Sequence, residues 1–382
     1  MPFYDYSSAF FLLMHYYYNI RFMKIFFNLV TLFSLTFVYA QNITAFSDAN
    51  RKLYMFNNGF ITQVEFQQIK DLQIGNHYIA YGNLRNDYFV IWEGVKHKIA
   101  QGQTYFYETD NILVSTFTSI LKVVDQGKIK NLTSYYMNFG YGDSIVVFQD
   151  RIGGNLKYYY QDTIVEFAQV IGDYRFTPNQ VGNNVFAYGD VAGNYFAFSN
   201  HKFYPIMSSN IEPVFSAGLD VIAYNHPIEN TFNVFKNGEI IELDEQEALA
   251  YKAGDNFVYF KDQAEGEYVW YNDEVFDLGY ELENMQIFDS IITYNNSNYL
   301  NIWFKGDTYS IYNTNNLSNY QVDGGIVAFL NNRGGVSAFV RGKEIVVTNQ
   351  KVQDFWLNGN TITLQYSSSS FAIWWNGKMI NF

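Results

Sequence analysis

One short apolar strand recurs along nearly the whole chain, and this recurrence limits the fold more than any other feature. Its copies read "ITAF" from residue 43, "YIAYGN" from 78, "ILVSTF" from 112, "IVVFQD" from 145 and "VFAYGD" from 185. They continue as "VIAYNH" from 221, "FVYFKD" from 257, "IITYNN" from 291, "IVAFLN" from 326 and "ITLQYS" from 362. Successive starts lie 35, 34, 33, 40, 36, 36, 34, 35 and 36 residues apart. A unit that short cannot bury both its faces alone. Neighbouring units must bury them.

A second series follows each copy after a polar break, as in "YFVIWEG", "FNVFKNG", "YVWYND" and "FAIWWNG". Most members end in Asn-Gly, Gly or Asp, residues that accept positive φ in tight hairpins. A third strand follows ("EIIELD", "EVFDLG", "EIVVTN"), and a fourth precedes the next copy ("ALAYKAGDN", "QDFWLNGN"). Aromatic residues make up 20% of the chain and charged residues 16%, which suits half-buried pleated surfaces. No apolar spacing of helical period accompanies them. These features predict an all-β fold: a single β-propeller of four-stranded blades, each about 35 residues long. Ten units are counted. Eight or nine complete blades with irregular ends, or two smaller propellers, fit the same text. No room for a strand exists between Gln41 and Ile43, and the last unit stops at Phe382 after its third strand. One blade should therefore have three strands, or the ring should close atypically. The 40-residue interval holds the one marked insertion, "GDYRFTPNQVGNN" at 172–184, read as a plain loop, with a functional loop or boundary as the other reading.

The blades resemble those of TolB-like and WD-type propellers. "YKAGDNFVYFKD" and "WLNGNTITLQY" share the TolB-like layout of strand, tight turn and strand. The Ser-Pro before the turn is missing, and no Trp-Asp signature ends the strands. The resemblance implies a fold class and no particular function.

Residues 23–41, "MKIFFNLVTLFSLTFVYAQ", have a basic start, an apolar stretch and small or modest residues before Ala40. This is a secretory signal peptide with cleavage between Ala40 and Gln41. Residues 1–22 then read as an upstream extension, and 41–382 as the propeller. The expected location is secreted or periplasmic, with no stable membrane span after cleavage. The chain has no Cys, which rules out a lipoprotein, disulfides and thiolate chemistry. The formal net charge of −13 argues against nucleic acid as a partner.

No G-x-S-x-G, H-E-x-x-H, P-loop or sialidase-type Asp box occurs. His77, His97, His201 and His226 are scattered over four units, with no metal-ligand spacing, so neither metal nor cofactor is expected. Asp48, Asp150, Asp190 and Asp262 end the first strand of their units, and His226 takes that position in another. Repeat geometry should set them around one face. Asp150, Asp190, His226 and Asp262 are the candidate binding collar; the alternative role is turn chemistry. Of the six Trp residues, most lie in the second strand, where packing between blades outweighs a sugar-stacking role. The expected function is a binding or scaffold module for protein, peptide or glycan. The alternative is a polysaccharide-active hydrolase or lyase. Two or three acidic groups converging in a cleft would favour the enzyme, and a shallow face would favour binding.

Overall fold

The computed structural model describes residues 43–107, 109–170, 172–177, 179–296, 299–312 and 319–382. The expected upstream extension at 1–22, signal peptide at 23–40 and cleavage point at Ala40–Gln41 lie outside them. The described residues form ten antiparallel sheets in sequence order, eight with four strands and two with three. These are blades 1 to 10: 43–65, 69–101, 104–133, 136–169, 185–208, 215–244, 250–280, 283–312, 320–348 and 354–381. The repeat therefore builds one ring of ten. Two smaller propellers do not form.

Within a complete blade, strands a to d run up and down from the central channel to the rim. In blade 7 these are Ala250–Ala253, Phe257–Lys261, Gly266–Tyr271 and Glu274–Tyr280. The strand that precedes each repeat copy is thus strand a of the blade that follows. The middle strands carry the apolar runs because both their faces are covered: Phe257, Val258, Tyr259 and Phe260 are all buried, as are Val269 and Trp270. Strand d alternates toward solvent, and Glu239, Ile240 and Glu242 are exposed. In all ten blades both residues of the c–d turn have positive φ, as at Asn237 (53°) and Gly238 (92°). That is the type I′ geometry, whose twist matches the flanking strands and which the Asn-Gly text foretold.

Each pair of neighbouring blades encloses its own apolar cluster, giving ten clusters for ten interfaces. Between blades 6 and 7, Phe232 and Phe260 pack 5.2 Å apart. Ring closure uses the same principle. Blade 1 has three strands among the described residues, and none is borrowed from the C-terminus. Instead Phe46 stacks on Phe371 at 5.0 Å, Phe56 meets Trp375 at 5.7 Å, and Phe382 covers Tyr54 at 4.9 Å. Aromatic pairs of this kind add about 0.5–1.5 kcal/mol each beyond simple burial.

Blade 5 lacks a regular strand a. The inserted segment takes its place. The Gln180 side chain accepts from Thr177 N–H and donates to Ala187 C=O, while Tyr174 Oη accepts from Gly189 N–H. A single bridge, Val181 to Phe186, stands for the missing ladder.

Candidate functional site: an acidic central channel

The meander puts the a–b and c–d turns at one end of every sheet and the b–c turns and d–a links at the other. We name these the lower and upper faces. The lower a–b turns meet around the channel, and the sequence lets them come very close. A Cβ on Gly142 would sit 2.0 Å from Gly182 O, one on Gly182 would sit 2.0 Å from Gly218 O, and one on Gly218 would sit 1.6 Å from Gly254 O. Only glycine permits that approach between backbones. Hydrogen bonds then run from blade to blade. Asp110 N–H donates to Asp143 Oδ1 at 2.8 Å, and Asp143 N–H to Asn183 Oδ1 at 3.2 Å. Asn183 N–H donates to Gly218 C=O at 2.8 Å, and Asp220 N–H to Asp255 C=O at 3.3 Å. Gly359 N–H donates to Asp323 Oδ2 at 2.6 Å.

These turns place Asp110, Asp143, Asp289 and Asp323 on the wall of a channel of about 1140 Å³, which Phe46, Tyr141 and Trp356 also line. Carboxylate oxygens of Asp110, Asp143 and Asp289 all lie within 4.8 Å of one another. They come from blades 3, 4 and 8, so the trio spans the ring. Burial pushes Asp110 up to about 8, aided by the charges of Asp143, Asp323, Asp289 and Asp255. Burial also lifts Asp255 to about 7, with help from Asp289, Asp143 and Asp220. Asp143 rises to about 6 through burial, held back by the N–H it accepts from Asp110. Asp289 is raised by burial, and Lys252 opposes that rise. Lys252 Nζ is itself held by Ile287 C=O at 2.8 Å.

Like charges crowded in a partly dry channel favour either protons or a cation. The oxygen-only trio Asp110, Asp143 and Asp289 could hold a hard divalent ion. It could equally receive the ammonium or guanidinium group of a basic side chain. The His at a neighbouring turn, His77, faces elsewhere: its Nδ1 lies 3.9 Å from Glu93 Oε1, and its ring stacks toward Trp92.

The sequence-predicted collar lies on the upper face, at the b–c turns. Asp150 accepts from Ile152 N–H at 3.1 Å and from Lys157 Nζ at 3.0 Å. Asp190 accepts from Ala192 and Asn194 N–H and from Asn194 Nδ2, and those bonds hold its carboxyl below the usual carboxylate range. Asp262 accepts from Gly266 N–H at 2.8 Å, and His226 Nδ1 from Glu229 N–H at 3.1 Å. Asp48 accepts from Asn50 and Lys52 N–H in the same way. Each is engaged by its own hairpin, and none bonds to another. The channel carboxylates are a different set. Their signal in the text is the Asp or Asn just before the first-strand copy, as in "YGDSIVVF", "AGDNFVYF" and "DGGIVAF".

A family model described as a 10-bladed beta propeller domain matches residues 37–380. No curated protein matches the chain in sequence. Among solved structures, PorZ of Porphyromonas gingivalis, described as an essential bacterial surface component of the type-IX secretion system, is similar at 9% identity and a TM-score of 0.29. That match covers 88% of this chain and 58% of PorZ. The computationally designed Ika8 protein is similar at 12% identity and a TM-score of 0.33, covering 88% of this chain and 99% of its own. The CRINKLY WD40 ectodomain of the Arabidopsis thaliana receptor kinase ACR4 is similar at 10% identity and a TM-score of 0.36, over 64% of this chain and 97% of its own. Likenesses this distant carry no functional argument. The repeat, the ten sheets and the family match agree: the chain belongs to the 10-bladed β-propeller domain family.

Proposed function

We propose that the protein is a secreted or periplasmic binding and scaffold module that takes a cationic group of a protein or peptide into its central channel. The observation that carries this reading is the convergence of Asp110, Asp143 and Asp289 within 4.8 Å in an open channel. Burial and mutual repulsion keep protons on this trio, and a cation that displaces them relieves the crowding. Aromatic walls at Phe46, Tyr141 and Trp356 suit the aliphatic stem of a Lys or Arg side chain. Localisation outside the cytoplasm rests on the leader at 23–40.

The convergence of carboxylates also favours a second reading, hydrolysis of a glycan. Its geometry is less suited to that. Inverting pairs stand about 6.5–9.5 Å apart, and one oxygen from each of these three carboxylates lies within 4.8 Å of the others, short of that separation. Asp143 Oδ1 is moreover taken by Asp110 N–H.

The test is titration of the purified protein with a tetralysine peptide and with Ca²⁺, beside a glycan array and a hydrolysis screen. Binding of tetralysine should weaken at least about tenfold in Asp110→Asn/Asp289→Asn, one lost charge-assisted contact being worth on the order of 1.4 kcal/mol or more. Turnover of any glycan would overturn the binding-only reading. N-terminal sequencing of exported material should begin at Gln41.

A further inference from the structure

Two blades lack a regular strand a, and the fold treats their inner edges differently. In blade 5 the edge residues are Val185, Ala187 and Gly189, and the inserted segment serves all three. Gly182 N–H donates to Val185 C=O at 2.8 Å, Ala187 N–H to Gln180 C=O at 3.1 Å, and Gly189 N–H to Tyr174 Oη at 3.1 Å. Blade 1 has no such segment among the described residues. Its inner strand is Ile43–Ser47, paired there on one side only. Asp48 N–H donates to Lys52 C=O at 3.1 Å, which fixes the phase of the ladder. Thr44 and Phe46 therefore bond to Leu53–Asn57, and the N–H and C=O groups of Ile43, Ala45 and Ser47 face the other way. None of these groups has a partner among the described residues. At the same phase in blade 7, Phe257 C=O accepts from Gly254 N–H at 3.0 Å and Lys261 C=O from Leu249 N–H at 2.8 Å.

The blades on either side aim side chains at that edge. Strand a sends alternate residues back to the preceding blade and forward to the next. Tyr251 of blade 7 packs back on Phe232, while Lys252 reaches forward to Ile287 C=O and Gln321 of blade 9 to Phe355 C=O. Register equates Leu72 of blade 2 with Tyr251, and Trp356 of blade 10 with Lys252 and Gln321. Leu72 thus faces blade 1 from one side and Trp356 from the other. Both line the channel beside Ala45 and Ser47, and both are 38% exposed.

We propose that the inner edge of blade 1 accepts an extended segment of another protein as its strand a. The segment runs antiparallel to Ile43–Ser47, from the upper to the lower face, as strand a does in eight blades. Backbone bonds to Ile43, Ala45 and Ser47 hold it. Leu72 and Trp356 close on its side chains, so its residues there are small or apolar. Its C-terminal end leaves by the lower mouth, where Asp110, Asp143 and Asp289 converge, and a Lys or Arg suits that end. The inference deepens the reading above and rests on its processing step: a chain that starts at Gln41 has two residues before Ile43, too few for a strand of its own.

The test uses the exported protein, its N-terminus sequenced, and a labelled peptide that copies strand a of blade 7, Ala-Leu-Ala-Tyr-Lys-Ala (residues 248–253). In fluorescence anisotropy one peptide should bind per chain. N-methylation of the peptide's Lys, whose amide faces strand b in blade 7, should raise the dissociation constant at least about tenfold. N-methylation of its Tyr, whose amide faces away, should change it by less than about threefold. Ala45→Pro removes a channel-side N–H and no ladder bond. The variant should fold, by circular dichroism, and bind the peptide at least about tenfold more weakly. Phase-dependent binding by a protein that ignores tetralysine would uphold this proposal and fault the channel reading alone. The proposal would be overturned by the lack of saturable binding, by equal weakening from either N-methyl group, or by full affinity in folded Ala45→Pro. An exported chain that begins upstream of Thr36 would also overturn it. So would preferential binding of Thr-Phe-Val-Tyr-Ala, residues 36–40, which would make the chain its own donor.

Discussion

The two faces of the ring are built from the same hairpins yet obey different constraints. On the lower face, backbones of neighbouring blades touch at Gly142, Gly182, Gly218 and Gly254, and a belt of hydrogen bonds runs between the turns. Side chains there have little freedom, and the carboxylates are fixed around the channel by the backbone that carries them. On the upper face the b–c turns of seven blades are closed within their own hairpins by an Asp, Asn or His, as at Asp190 and Asn331. The tips beyond those caps are free to vary. The difference teaches that position in the repeat is no guide to role by itself. A residue that ends a strand serves its own turn, whereas one that begins a strand beside the channel meets residues from distant blades.

This contrast can be broken from either side. The largest effect is expected at the belt. Gly218→Ala would place a Cβ 1.6 Å from Gly254 O, a clash with backbone that cannot be relieved by a side-chain rotation. Loss of about 3 kcal/mol or more is expected, read by urea unfolding. A fully stable variant would show that the belt is not tight.

The next effect concerns charge. Asp110, Asp255 and Asp143 are raised to about 8, 7 and 6 from an ordinary 3.8. A carboxyl raised on folding contributes stability that is complete below its unfolded value and lost as pH rises through its folded value. Thermal stability should therefore fall between pH 4 and about 8. Asp110→Asn should flatten that fall and stabilise the protein at pH 8 by on the order of 2 kcal/mol. Affinity for a cationic peptide should change in the opposite sense, rising from pH 6 to 8 as the ring ionises. A melting temperature independent of pH over this range would contradict the crowding of charge.

A smaller loss is expected at an upper-face cap. Asp190→Ala removes an acceptor of two backbone N–H groups, at a cost of about 1 kcal/mol in unfolding free energy, with tetralysine binding unchanged. A loss of peptide binding there would move the site to the upper face. The smallest effect belongs to the free tips. Ile152→Ser, at a side chain 70% exposed, should alter stability by less than about 0.5 kcal/mol.

How much of this was legible beforehand differs by level. The ten units, the four strands and the tight c–d turns follow from period and turn residues, because both are local properties; a three-stranded blade is one of two ways of closing the ring, and among the described residues blade 1 has three strands. The Asn-Gly at 237–238 needs only its own φ angles to announce a hairpin. The doubly buried "FVYF" and "YVWY" announce a central pair of strands, and the structure covers both. The collar of Asp150, Asp190, His226 and Asp262 was also visible in the text, as a repeated position. What the structure adds is that each of these groups is already occupied by neighbours two to seven residues away. The insertion at 172–184 carried no sign that Gln180 would stand in for a strand, since its partners Ala187 and Tyr174 are chosen by the fold.

The sequence by itself determined the all-β class, the blade length and the turn geometry, for these rest on apolar periodicity and on which residues tolerate positive φ. The tertiary structure alone decided the number of blades in one ring, the aromatic seam between Phe46 and Phe371, and the meeting of Asp110 and Asp143 with Asp289. Those three carboxylates are separated by 33 and 146 residues in the chain. Only the curvature that ten packed interfaces accumulate brings blades 3 and 4 to face blade 8 across a narrow channel, and no local rule of sequence encodes that sum.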